Sequence, residues 1–366
     1  MKIIYFTPSI EPYDGYSRYA LDVISRIASV CDTVVVCNKK SGKLPGVTEY
    51  ELLRPPSYYF SNPLLVLADV IKVRKVLKKE FEGDTIIHFT AEGYALFLPF
   101  LGSSGFKSIM TTHGTYSVLP LASWKTRQLY KRAYQKLDKV VSVSGFTKKH
   151  LLKHAGEFVP ESKVQVITNG VDFIDRVLPD RSGRTECTVI TVGQVKYRKG
   201  GHNLIRVAKM LKDRNIVRPK VIFVGNFNPE SEYGRSLIRY VEENGLQGVV
   251  KFAGRVSQEE KDEFYKKADV FALLSENEDL NYEGYPLVFH EAASWGLPAI
   301  GSFNCGAEDA IKNGETGFLV DPGDYASVAG LVEDIFRKSI INPEVCKKWA
   351  AENDWSKKDL MSMYRL

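Results

Sequence analysis

Short β-branched, apolar runs alternate with amphipathic stretches along the whole chain, and they do so in two successive sets. In the first set KIIYFTPS, DTVVVCNK, DTIIHFT, KSIMTTHG, DKVVSVSG and KVQVITNGV read as strands. Between them, Ser17 to Ile27, Asn62 to Phe81 and Trp124 to Leu137 space their apolar residues as helices do, and Ser144 can cap a further helix starting near Phe146. In the second set TVITVGQ, KVIFVGN, VVKFAGR, DVFALLS, LPAIGS and TGFLVDPG repeat the theme, with a helix from Asn203 to Asp213 after the first. Strands alternating with helices imply parallel sheets joined by right-handed crossovers. Two such sets imply an α/β chain of two Rossmann-like, doubly wound domains, and a chain of 366 residues is long enough to fill two cores. The polar, turn-rich segment Phe173–Thr185 marks the expected break, giving an N-terminal domain over 1–175 and a second over 186–350. Open parallel sheets bind ligands beyond the carboxyl ends of their strands, so the expected site is a cleft between the domains.

Composition excludes several classes. With 44% hydrophobic and 26% charged residues the chain is neither disordered nor fibrous. No apolar run reaches the roughly 18–20 residues of a spanning helix. MKIIYFTPSI reads as a strand and not as a signal peptide, so a cytoplasmic location is expected. The five cysteines are scattered without a CxxC, a pattern of isolated thiols and not of a zinc site. Charge is uneven: residues 1–183 sum to +8 and residues 184–366 to −2. A basic first half suggests an anionic partner there.

The most informative stretch is SENEDLNYEGYPLVFHEAASWGLPAIG, residues 275–301. A strand ends in an acidic loop, and Glu283-Gly284-Tyr285-Pro286 opens a helix, with Pro286 suited to its first turn. Backbone N–H groups there, with the helix dipole, suit a phosphate. Glu283 sits just before the expected helix and Glu291 two turns into it, so both carboxylates are expected on one side of the site. Each can accept from two neighbouring sugar hydroxyls. Two solvated helix residues are the ordinary alternative, but Phe289, Ala292, Ala293 and Trp295 flank Glu291, which therefore wants a partner.

E-x7-E followed by EAASWGLPAI resembles the signature of the retaining GT-B glycosyltransferases of family 4, closest to their bacterial mannosyltransferase branch. The resemblance extends over essentially the whole chain, through TTHGTY, VSVSGFTKKHLL, VITNGVD, TVGQVKYRKGGHNLI and NGETGFLVDPGD. It implies that Glu291 binds the ribose of a nucleotide-diphosphate sugar and that Glu283 meets the transferred sugar. Gly284, Tyr285 and Leu287 would offer backbone to the sugar and distal phosphate; Pro286 has no N–H to give. Lys199 matches the family's diphosphate lysine. Gln194 stands where an arginine is usual, bringing a donor without charge, for which Arg198 or Lys196 would compensate. Val256, with Arg255, matches the positions whose backbone reads the base. In the first half Gly15 matches a backbone-approach glycine, while Tyr16, where a second glycine is usual, is expected to shape the acceptor site. His113 matches a histidine beside the transferred sugar; the other histidines are read as structural or surface. WAAENDWSKKDLMSMYRL, residues 349–366, resembles the family's final helix, so 351–366 is expected to cross back to the first domain.

The reaction so implied is metal-independent hexosyl transfer with retention, without a cofactor. The donor is a nucleotide sugar, with GDP-mannose favoured, expected on the domain over 186–350, and the acceptor, expected on the domain over 1–175, a glycan or lipid-linked saccharide of cell-surface polysaccharide or glycolipid synthesis. VIKVRKVLKK and WKTRQLYKRAYQKLDK suit an anionic membrane surface, giving a peripheral protein on the inner face, although a solvated basic face would look alike. No nucleic-acid module is present. A nucleotide-sugar epimerase on the same fold and a non-catalytic nucleotide-sugar binder are the competing readings.

Overall fold

The computed structural model describes residues 1–102, 105–278 and 280–366, excepting the side chain of Lys125. The chain divides into two compact units, Met1–Asn169 with Lys358–Leu366, and Gly170–Lys357. The first contains, in chain order, β1 (Lys2–Thr7), α1 (Gly15–Ile27), β2 (Asp32–Cys37), β3 (Thr48–Glu51), α2 (Pro56–Ser61), α3 (Leu65–Glu80), β4 (Thr85–Phe89), β5 (Lys107–Thr112), α4 (Trp124–Lys136), β6 (Lys139–Ser142), α5 (Gly145–Ala155) and β7 (Val164–Val166). A 3-10 segment, Glu92–Phe100, follows β4. The second contains β8 (Glu186–Val192), α6 (Gly201–Arg214), β9 (Arg218–Val224), α7 (Glu232–Glu243), β10 (Val250–Gly254), α8 (Gln258–Lys267), β11 (Val270–Leu273), α9 (Val288–Ser294), β12 (Ala299–Ser302), α10 (Ala307–Ala310), β13 (Gly317–Val320), α11 (Tyr325–Lys338) and α12 (Pro343–Glu352).

Both sheets are parallel, as the alternation of elements requires. The first runs β3-β2-β1-β4-β5-β6-β7 and the second β10-β9-β8-β11-β12-β13. Each order reverses beside its own first strand, at β1/β4 and at β8/β11. These switch points open a crevice at the carboxyl ends of the strands. Caps start the helices where the side chains allow. Asp14 accepts from the Ser17 N–H at 2.8 Å, Ser144 accepts from Thr147 at 2.9 Å, and Ser257 with Glu260 forms a capping box on α8. In the second unit Val189, Val221 and Val270 from the sheet pack with Leu204, Ala208, Val328 and Val332 of α6 and α11.

Two boundaries differ from the sequence reading. The first unit ends at Asn169, ahead of Phe173–Thr185. That segment belongs to the second unit, and its polar groups are used there: Arg181 donates to the Ala268 and Trp295 carbonyls at 2.8 and 2.9 Å, and the Phe173 N–H donates to Asp354. Gly170 lies so close to Trp355 that a Cβ would come within 2.7 Å of its ring. At the other end no α-helix covers 351–366. Helix α12 stops at Glu352, and two short 3-10 turns follow, Trp355–Lys357 and Leu360–Tyr364. Asp354 pairs with Val171 in a parallel bridge, which draws the backbone out of the helical path. Tyr364 is buried in the first unit, bonded to Tyr5 at 2.7 Å and His88 at 2.9 Å.

Gly200 occupies the left-handed region at φ 64°, and a Cβ there would stand 1.6 Å from the Leu274 carbonyl oxygen. Gly200→Ala is expected to lower unfolding stability by about 2 kcal/mol or more. Gly15→Ala, at an exposed helix start with open space around it, should change it by less than about 0.5 kcal/mol. Urea titration of both variants checks the contrast.

Candidate functional site

The second unit gathers its chemistry at the β8/β11 switch. Beyond β8, Gly193 at φ 138° and Gly225 at φ 138° let two loop backbones touch; a Cβ on Gly225 would stand 2.1 Å from the Gly193 oxygen. A 3-10 turn, Tyr197–Lys199, then presents Arg198 and Lys199 before Gly200 starts α6. Beyond β11 the chain runs through Ser275–Leu287, of which Asp279 lies outside the described residues. The Glu276 N–H donates to the Arg198 carbonyl at 2.9 Å, stitching the two loops together. At their meeting point one oxygen of Glu283 accepts from Arg198 Nη1 at 2.5 Å and from Lys199 Nζ at 2.6 Å. The Glu283 side chain is 13% exposed. Burial alone would raise its pKa, but Lys199 and Arg198 outweigh it and hold the carboxyl at about 2. Two cations on one carboxylate leave a local excess of one positive charge.

Gln194 lies in the same loop, lining a small recess with Gly193, Lys196 and Lys199. The segment Glu283–Leu287 is loop and not helix. The Gly306 N–H donates to the Glu283 carbonyl at 2.8 Å, and a Cβ on Gly306 would stand 1.8 Å from the Gly284 oxygen. That close seat keeps Gly284 and Tyr285 out of the helix. Tyr285 is buried, its hydroxyl 2.6 Å from His290 Nε2. Helix α9 begins at Val288 with Leu287 as its N-cap, so Pro286 precedes the cap and does not occupy the first turn. Glu291 correspondingly lies in the first turn and not two turns in. The motif therefore joins one loop carboxylate to one helix-start carboxylate.

Glu291 does have partners. Lys261 Nζ at 2.9 Å and the Tyr265 hydroxyl at 3.1 Å both donate to its Oε2. These two residues lie four apart on α8 and so share a face. Among the described residues the other oxygen, Oε1, accepts no hydrogen bond, and the side chain is 34% exposed. Arg255 and Val256 sit between Gly254, at φ 74°, and the α8 cap Ser257, at the carboxyl end of β10.

In the first unit the structure brings Tyr16 and His113 together through a residue that the sequence reading passed over. Glu92 is fully buried, and it accepts from the Tyr16 hydroxyl at 2.8 Å and from the His113 N–H at 2.7 Å. Burial raises its pKa to about 7. Gly114 next to it, at φ 153°, takes a backbone conformation suited to glycine. His113 Nε2 lies 2.9 Å from the Thr90 carbonyl oxygen. A carbonyl only accepts, so Nε2 carries the proton and Nδ1 keeps its lone pair. Burial lowers the His113 pKa to about 4, so the ring is neutral near pH 7. Tyr16 and Tyr19 both meet the imidazole edge-on. Gly15 is the exposed first residue of α1, with nothing in the fold demanding a glycine. Glu92, Lys261, Tyr265 and Gly306 are the residues missed. Only the four-residue spacing of Lys261 and Tyr265 left a trace in sequence.

Comparison with known proteins fits this geometry. The family described as glycosyltransferase family 4 matches residues 13–173, and that described as glycosyl transferases group 1 matches 180–353. The GDP-mannose-dependent alpha-(1-6)-phosphatidylinositol monomannoside mannosyltransferase of Mycobacterium tuberculosis is 26% identical over 78% of this chain and 74% of its own. Its counterpart in Mycolicibacterium smegmatis is 26% identical over 85% of this chain and 84% of its own. Among solved structures, Anabaena Alr3699/HepE with UDP and glucose superposes with TM-score 0.76 at 18% identity, covering 100% of this chain and 97% of that one. The lipopolysaccharide outer core galactosyltransferase WaaB gives 0.72 at 16%, over 97% and 96%. The fold is GT-B, two Rossmann-like units.

Glu92 and His113 make opposite contributions to the pH dependence of stability. A carboxyl raised to about 7 in the folded state is unpenalised below its unfolded pKa near 4.5 and destabilises the fold as pH rises through 7. His113, lowered to about 4, contributes stability that is present above about 6.5 and lost as pH falls through 4. Glu92→Gln should therefore remove a loss of about 3 kcal/mol that wild type shows between pH 4.5 and 7, an order-of-magnitude figure from the shift. Denaturant titrations of both proteins at pH 5 and 8 read the difference.

Proposed function

Because the chain is a glycosyltransferase of the family 4 type, we propose that it transfers a hexose from a nucleotide-diphosphate sugar to a glycan or lipid-linked acceptor, with retention and without a metal. The observation that carries this reading is the pairing of Arg198 and Lys199 on Glu283. The departing nucleoside diphosphate gains negative charge, and the two cations, already aligned beside a carboxylate, supply the compensating field. Gln194, in the same loop, adds an uncharged donor. Glu291 would take the ribose hydroxyls on its open Oε1 while Lys261 and Tyr265 hold the other oxygen. The backbone of Gly284, Tyr285 and Leu287 would meet the sugar and distal phosphate, and that of Val256 the base. His113, neutral, would accept from or position a sugar hydroxyl. Retention follows front-face attack, in which the leaving phosphate oxygen takes the acceptor's proton as the new bond forms to the anomeric carbon.

The names of the mycobacterial relatives favour GDP-mannose as donor; the UDP bound in the Anabaena structure favours a uridine nucleotide. Calorimetry with GDP, UDP, ADP and dTDP, without metal, separates them. One nucleotide should bind wild type tightly and Glu291→Ala ten- to a hundredfold more weakly, roughly the effect of losing hydrogen bonds to a charged group. In turnover Lys199→Ala should depress kcat about a hundredfold. Unchanged kinetics in both variants would remove this site; binding without turnover of any nucleotide sugar would favour the non-catalytic binder.

A peripheral position at the inner face of a membrane is part of the reading, and α3 is the surface that favours it. Leu64, Leu67 and Ile71 are 70%, 47% and 62% exposed, with exposed Lys72, Lys75, Lys78 and Lys79 on the same helix. Helix α4 is less suited, since its Tyr130 and Tyr134 are buried. Among the described residues no helix is long and apolar enough to cross a membrane. Wild type should co-sediment with phosphatidylserine-containing vesicles, and Leu67→Glu/Ile71→Glu should release it; equal sedimentation with pure phosphatidylcholine would count against an anionic surface.

A further inference from the structure

The amino ends of the second sheet hold a cavity of about 520 Å³ that no role above uses. Arg184 precedes β8, Asp269 precedes β11 and Pro298 precedes β12, and all three line it. These strands are parallel, so the cavity lies at the end away from the carboxyl-end loops that carry Lys199 and Glu283. Every residue lining it belongs to the second unit.

Its charge is one-sided. Arg181, Arg184 and Arg337 line it against a single carboxylate, Asp269. Both oxygens of Asp269 are taken: Oδ1 accepts from Arg184 Nη1 at 2.9 Å, and Oδ2 from the Thr188 N–H at 2.8 Å. Arg181 is half-buried and donates only to carbonyls, and among the described residues no carboxylate forms an ion pair with it. Burial, with the like charge of Arg184 beside it, lowers its pKa to about 10. Arg181 Nη1, Arg184 Nη2 and the exposed Arg337 guanidinium make no hydrogen bond among the described residues. A poorly hydrated charge without a counterion is costly, and an anion relieves the cost. Guanidinium forks match the oxygens of a phosphate two at a time. Pro298, Ile335, Phe336 and Ile341 add apolar surface, and the volume lies within the roughly 300–1,000 Å³ of small-molecule sites. A bare phosphate leaves that apolar surface unused, whereas an ester covers it.

The same arginines hold the two helices that meet at Glu291. Arg184 and Arg181 take the successive Lys267 and Ala268 carbonyls at the end of α8, at 2.7 and 2.8 Å, and Arg181 takes the Trp295 carbonyl at the end of α9. Carbonyls at a helix end lack partners within the helix, and cations suit them. Helix α8 carries Lys261 and Tyr265, and both donate to Glu291 of α9.

We propose that this cavity is an effector site for a phosphate monoester, bound on Arg181, Arg184 and Arg337, whose occupancy tightens nucleotide binding at Glu291. Arg181 Nη1 and Arg184 Nη2 take the phosphate, so the bonds to the helix-end carbonyls stay intact and both helix ends are held more firmly. The anion site stands apart from the transferase reading; its effect on the nucleotide rests on that reading.

Calorimetry on the full chain tests it. Phenyl phosphate, ribose 5-phosphate and inorganic phosphate are titrated into wild type, Arg337→Glu, Arg184→Gln and Lys199→Ala. At least one ester should bind wild type and Lys199→Ala alike, and more tightly than inorganic phosphate. It should bind Arg337→Glu and Arg184→Gln about tenfold more weakly, as loss of a hydrogen bond to a charged group does. Arg337 is exposed and unbonded, so its variant should keep the fold, which circular dichroism checks. No binding of either ester, binding lost in Lys199→Ala yet kept in Arg337→Glu, or inorganic phosphate bound as tightly as the esters would overturn the site. With the ester saturating, the nucleotide Kd should fall about fivefold, at the low end of ordinary coupling between sites. An unchanged Kd with the ester bound would overturn the effector role. Absent nucleotide binding in wild type, with the ester still bound, fails the transferase reading and the coupling but upholds the anion site.

Discussion

One carboxylate between two cations organises the second unit's loops. Glu283 draws Arg198 and Lys199 onto a single oxygen, and in doing so joins the loop after β8 to the loop after β11. Desolvating three charges is costly unless they are paired. The pairing thus explains why an otherwise irregular run of chain takes one conformation. It also sets a resting state in which the cations are occupied yet not neutralised. On the function proposed above, a diphosphate would meet side chains already held in place, so little ordering would remain to be done on binding. Gly200 and Gly306 serve the same end in the backbone, since each admits a contact that a Cβ would block.

The first unit solves a related problem with neutral groups. Glu92 is buried beside Tyr16 and the His113–Gly114 backbone, and its hydrogen bonds from Tyr16 and the His113 N–H come from neutral donors. Its carboxyl hovers near neutrality. His113, half-buried beside it, stays uncharged near pH 7. The polar groups here fix positions through hydrogen bonds and ring packing, where the second unit uses full charges.

Much of the fold was legible because its period is strong. Strand and helix alternation survived in every major element, and Ser144 marked a cap that the structure contains. The misses have physical causes. TEYE, the edge strand β3, is too polar to announce itself, and its burial is slight. The 3-10 segment Glu92–Phe100 is an apolar run with an internal Pro99, carrying neither helical nor strand period. Pro286 suggested a helix start two residues early, because the seat given by Gly306 is invisible from position 286. At the site, Glu283 and Lys199 were readable from their motif and do meet. Glu92 was not, since a lone glutamate in an apolar run signals nothing until the strand ends around it are assembled. Lys261 and Tyr265 show the same limit: their spacing is local, but their partner Glu291 is reached only across the fold.

The placement of residues 358–366 in the first unit bears on how the molecule is made. Tyr364 completes a buried chain of hydroxyls and imidazole with Tyr5, His88 and Thr111. During synthesis all seven strands of that sheet leave the ribosome well before Tyr364 does. The second unit, continuous from 170 to 357, can close its core first, while the earlier-made unit waits with a polar gap at its centre. Its nascent form thus lacks that part of its core until residues 358–366 have been made.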